Sequence, residues 1–104
     1  MIHIVFYMHD GEIGGLEISG HSTESADDFD GKLVCSAVSS AAIMAANTVT
    51  EILGDDSEVT AKDGYLKLTV QNRKRCFEVL AGLKLHLSEL SFQYPDKIKL
   101  SVRE

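Results

Sequence analysis

The chain has 104 residues, 44% hydrophobic and 25% charged, with 16 Asp and Glu against 10 Lys and Arg. That length and apolar content suit one globular domain with a real core and exclude a disordered chain. The net charge of −6 opposes direct nucleic-acid binding, which needs clustered cations, and favours a cationic protein or peptide partner.

The N-terminal apolar run Ile2–Met8 is short and interrupted by His3, so neither a membrane span nor a secretory signal is expected. Ile2, Ile4 and Phe6 alternate with His3, Val5 and Tyr7, which predicts a strand. Asp10-Gly11 and Gly14-Gly15 mark a turn, and Leu16 and Ile18 resume the alternation up to Gly20. The expected hairpin therefore ends just before His21. Residues 21–32 are polar and acidic, and long for a connection in so small a domain, a pattern that often marks a functional, mobile loop.

A helix is predicted from about Leu33 to Leu53, with Gly54 as its C-terminal cap. Its early part is crowded with Ser and Ala, which let a backbone approach a sheet closely. Asp63-Gly64 predicts a two-residue hairpin turn between residues 57–62 and 65–71. The second helix, from about Arg73 to Ser91, carries Cys76, Leu80, Leu83, Leu87 and Leu90 on one face. Pro95 ends that segment, and Ile98, Leu100 and Val102 alternate in a last strand. The order is ββαββαβ in an α+β fold. Two helices cover one face of an antiparallel-rich sheet, as in a ferredoxin-like plait with an extra N-terminal strand. Such a fold does not decide function.

The chemistry lies in residues 20–40, GHSTESADDFDGKLVCSAVSS. His21 leaves the end of a strand, and Cys35 is expected in the first turn of a helix. Unpaired N–H groups and the positive end of the helix dipole stabilise a thiolate there, and can also bind an oxyanion. A nearby histidine can take the thiol proton and return it to a leaving amine. The plainer reading stands beside this one: a lone cysteine in an apolar helix is more often a small core residue, as Cys76 is read here. Cys35 and Cys76 fit no zinc spacing, and His3, His9 and His86 sit on separate elements, so no metal or other cofactor is expected. Reduced thiols and a cytoplasmic location are expected together.

Gly20-His21 at a strand end, followed by Val34-Cys35-Ser36-Ala37-Val38-Ser39 opening a small-residue helix, resembles the ribosomal-processing cysteine protease Prp family. The resemblance implies a homodimer that removes the N-terminal extension of the twenty-seventh protein of the large ribosomal subunit, cutting after aromatic residues. It implies Cys35 as nucleophile and His21 as general base. Backbone N–H groups around Cys35 and Ser36 become oxyanion donors, Gly20 joins the substrate-binding set, and residues 22–32 become a flap over the peptide. Two features depart from the family pattern. Lys32 occupies the position where the family usually has an aspartate, leaving Asp30, as an accessory residue or helix N-cap, the nearest substitute. The loop is also longer and more acidic than usual.

A different class of function is a catalytically silent dimeric module of the same fold that binds a protein in ribosome assembly. Thiol reactivity across pH separates the two, because an activated cysteine reacts where a core cysteine resists. A third reading, a small RNA-binding plait, meets the acidic charge and the lack of paired aromatics on a central strand.

Overall fold

A computed structural model describes residues 1–21 and 27–104. Its elements are β1 (Ile2–His9), β2 (Glu12–Ser19), α1 (Phe29–Asn47), β3 (Glu58–Lys62), β4 (Tyr65–Thr69), α2 (Arg73–Gln93) and β5 (Ile98–Arg103). This is the ββαββαβ order expected from the hydrophobic pattern. The sheet order is β3-β4-β2-β1-β5. Three neighbouring pairs are antiparallel, and β1 pairs with β5 in parallel. The extra N-terminal strand is thus inserted between β2 and β5, in the middle of the plait.

Strand alternation sends Ile2, Ile4 and Phe6 of β1, and Ile13, Leu16 and Ile18 of β2, to one buried face. Val34, Val38, Ala42 and Ala45 of α1 recur at helical spacing and pack there, as do Cys76, Leu80, Leu83 and Leu87 of α2. Each large side chain fully withdrawn from water contributes about 1.5–3 kcal/mol before entropy is counted. The segment Phe29–Ile52 has a mean hydropathy of 1.5 over its most apolar window and is long enough to cross a membrane. A third of that window is buried. Along the segment, Val34, Val38, Ala42, Ala45 and Ala46 lie in the core, while Leu33, Ile43, Met44 and Ile52 are exposed.

Several boundaries differ from the sequence expectation. The first hairpin turns at Asp10-Gly11 alone, both with positive φ (52° and 79°), the conformation that two-residue hairpins favour. Gly14-Gly15 lies inside β2. The register shifts there, Tyr7 facing Gly15 and Met8 facing Ile13, so Gly14 is the extra residue of a bulge. A Cβ on Gly15 would collide with the Leu68 carbonyl of the paired β4. These glycines serve close strand approach, which local pattern cannot distinguish from a turn.

α1 begins at Phe29, four residues before the predicted start. Its N-cap is Asp28, whose carboxylate accepts the Gly31 N–H at 2.9 Å. Asp30 is therefore not the cap; it lies in the first helical turn. The expected flap divides accordingly: residues 22–26 lie outside the described residues, and 29–32 are helical. At its other end α1 passes into a π-helical turn, Thr48–Ile52. Gly54 follows at φ 67°, in the left-handed position predicted for a C-terminal cap.

Candidate active site

His21 stands just beyond β2, and its placement comes from backbone contacts on two sides. Gly20 bends the chain at φ 90°, and a Cβ there would strike the Met1 carbonyl. The Met1 nitrogen donates to the His21 carbonyl at 2.6 Å. On the other side, the Gly20 N–H donates to the Gly64 carbonyl at 2.9 Å, tying this bend to the β3–β4 turn. Only a residue without a side chain fits between β1 and that turn, which gives Gly20 its physical reason. Its N–H is committed to Gly64 and serves as a structural tie.

Cys35 is the seventh residue of α1, not a member of its first turn. A regular helix directs that N–H to the carbonyl four residues back, Gly31, and does the same for Ser36 and Lys32. The unpaired N–H groups expected around Cys35 therefore lie almost two turns away, at the helix start. What the early start gives Cys35 is a rigid mount. The residue is half-buried against the core, flanked by buried Val34 and Val38, and is not disulfide-bonded.

Cys35 and His21, separated by fourteen positions in sequence, line one cleft of about 350 Å³. Gly20 and Ser36 line it too. One wall is α1, through Cys35, Ser36, Ser39 and Ile43; the opposite wall is the β3–β4 hairpin, from Ala61 to Leu66. Ile2, Ile18, Val38 and Ala42 add apolar surface. The cleft thus combines apolar surface with hydroxyl, thiol and imidazole groups, and with Lys62, Asp63 and Tyr65 on the hairpin side.

Asp30 is not among the cleft-lining residues. It contributes to the field around Lys97, whose ammonium pairs with Asp28 at 3.1 Å. The Asp28 bond is the main reason the Lys97 pKa is raised. Among the described residues, no group of three His, Cys, Asp or Glu side chains is placed to hold a metal ion.

The wall from Ala61 to Leu66 went unread in the sequence. Asp63-Gly64 is visible there as a hairpin turn, but nothing local tells that the turn meets His21. Tyr65, which also lines the cleft, donates to Glu17 at 2.5 Å, while Tyr7 donates to the same carboxylate at 3.3 Å. The Tyr65 bond leads the causes that hold the Glu17 carboxyl below its usual range.

Comparison with known proteins follows the same lines. The family model for Cysteine protease Prp matches residues 1–99. No curated protein matches the chain. The solved structure of SMU.848 from Streptococcus mutans superposes with a TM-score of 0.87 at 19% identity, covering 99% of this chain and 94% of that one. The essential ribosomal processing protease Prp from S. aureus, in complex with a covalently linked product peptide, gives 0.86 at 18% identity, covering 99% and 100%. The same protease with a substrate peptide gives 0.86 at 16%, again covering 99% and 100%.

Proposed function

As a chain that belongs to the cysteine protease Prp family, this protein is, we propose, a cysteine endopeptidase acting through a Cys35–His21 dyad. The observation that carries the reading is the convergence of Cys35 and His21, from α1 and from the end of β2, on one peptide-sized cleft.

In the first step the Cys35 thiol gives its proton to the His21 imidazole, and Sγ attacks the scissile carbonyl carbon. The tetrahedral oxyanion collapses, the C–N bond breaks, and the amine leaves with the proton from His21. A water then gives a proton to His21, and its oxygen displaces Sγ from the thioester. The new carboxyl terminus departs and the thiol is restored. Because the Cys35 and Ser36 amides belong to the helix, the oxyanion contact falls to the Ser36 hydroxyl, which is exposed at the cleft.

The proposed substrate is a ribosomal protein precursor, the twenty-seventh of the large subunit, trimmed of its N-terminal extension after aromatic residues in the cytoplasm. The apolar surface of the cleft supports an apolar or aromatic side chain before the scissile bond. The assembly proposed for the enzyme is a homodimer.

Cleavage of a synthetic peptide with two aromatic residues before the scissile bond, followed by mass spectrometry, tests the dyad. Cys35→Ala abolishes cleavage with an unchanged circular dichroism spectrum. His21→Ala lowers kcat by a factor on the order of 10² or more, with a much smaller change in peptide affinity. Residual cutting by Cys35→Ala, or peptide binding by a wild type that never cuts, favours the silent module instead.

A further inference from the structure

The β3–β4 turn lies directly against the His21 ring. A Cβ built on Gly64 would stand 2.7 Å from Nε2 of His21, 3.2 Å from Cε1 and 3.4 Å from Cδ2. The imidazole therefore occupies space that any other residue at 64 would take. The same glycine accepts the Gly20 N–H at 2.9 Å, so one residue touches both the ring and the backbone that carries it.

We propose that Gly64 is a positioning residue for catalysis, a backstop that sets the angle of the His21 side chain and hence its alignment with Cys35 across the cleft. The inference rests on the reading of His21 as the base. Gly64 is under two separate constraints. Its φ of +71° favours glycine for backbone reasons, and the ring favours glycine for space. Gly11 and Gly54 share the first constraint, at +79° and +67°, but a Cβ on either meets nothing within 4 Å. Of these three, Gly64 alone places its missing side chain against a functional group. The atoms in the way belong to a side chain that can rotate, so a Cβ there displaces the imidazole more readily than it breaks the fold. A misplacement of about 1 Å in a reacting group can cost on the order of 10²-fold in rate.

The test is the matched pair Gly64→Ala and Gly11→Ala. Both put a Cβ at positive φ, so both lower Tm by similar amounts. Gly64→Ala lowers kcat on the aromatic peptide by on the order of 10²-fold, with KM nearly unchanged, whereas Gly11→Ala keeps the wild-type kcat. On a His21→Ala background, Gly64→Ala lowers the rate no further. In parallel, the His21 ring resonances, read by proton–carbon NMR, move in Gly64→Ala and stay in place in Gly11→Ala. If Gly64→Ala does not fold, Gly64→Asn against Gly11→Asn takes its place, since Asn tolerates the left-handed backbone.

Unmoved His21 resonances in the Gly64 variant overturn the proposal, as does a kcat equal to that of the Gly11 variant. Should the wild type cleave nothing, the protease reading falls by itself. The NMR comparison then still decides whether Gly64 sets the ring.

Discussion

Asp55 ties the two helices together, and its removal has a calculable consequence. Its carboxylate accepts the backbone N–H groups of Gln71 and Asn72, both at 2.8 Å, and the Ser57 hydroxyl. Its own N–H donates to the Val49 carbonyl at 2.9 Å. A single residue thus joins the end of α1 to the start of α2. In Asp55→Ala the two released N–H groups remain within reach of water, because Gln71 and Asn72 are exposed. A hydrogen bond to a charged group is worth about 1.5–3 kcal/mol, and screening at this partly exposed site reduces each to roughly 1 kcal/mol. With these bonds lost and water taking up the freed donors, the expected cost is ~2–3 kcal/mol, and Asp55→Asn, which keeps an acceptor oxygen, costs about half as much. In a domain near this size 1 kcal/mol moves Tm by ~4–8 °C, so the Tm of Asp55→Ala falls by ~8–24 °C.

The same site carries a pH signature. Desolvation pushes the Asp55 carboxyl up, but the bonds from Ser57, Gln71, Asn72 and Cys76 outweigh it and hold the group below its ordinary range. A carboxylate with a lowered folded pKa stabilises fully above its unfolded value of about 3.9 and loses that contribution as pH falls through the folded value. Thermal and urea unfolding of wild type and Asp55→Ala therefore differ by a constant gap from about pH 5 to 8, narrowing in stronger acid. A gap under ~1 kcal/mol at neutral pH, or one that does not narrow in acid, refutes the reasoning.

Cys76 is expected to be chemically silent, because burial pushes its thiol up and the Asp55 charge and hydrogen bond add to the shift. Cys76→Ala keeps full peptide cleavage at a cost of ~1–2 kcal/mol in stability, and mass spectrometry after brief alkylation of the folded wild type finds Cys35 modified and Cys76 intact. Early labelling of Cys76 would show that α2 opens locally. Sedimentation at micromolar concentration tests the homodimer: twice the chain mass is expected, and the monomer mass across the concentration range removes that part of the proposal.

Much of the architecture was legible because strands and helices bury one face with a fixed period. Ile2-Ile4-Phe6 and Leu80-Leu83-Leu87 announce their elements without reference to anything distant. Asp63-Gly64 and Gly54 are equally local, since a positive φ selects its residue wherever the chain must turn. The residues that resemble the Prp family, His21 and Cys35, were likewise named from a short motif. Gly14-Gly15, by contrast, was misread as a turn, because the Leu68 carbonyl that makes Gly15 necessary lies far along the chain. The start of α1 was missed for a related reason: Asp27, Asp28 and Asp30 are interchangeable by composition, and only the bond from Gly31 distinguishes Asp28 as the cap.

Sequence alone settled which faces of β1, β2 and α2 go inside, since transfer of apolar side chains from water depends on local pattern and little on topology. Val102 of the alternating β5, by contrast, stays exposed. Tertiary structure decided where β1 enters the sheet and how deep in α1 the cysteine sits. It also decided that a hairpin turn lies against His21. Those are contacts between segments distant in sequence, and the pairing of one backbone with another leaves no periodic trace in either.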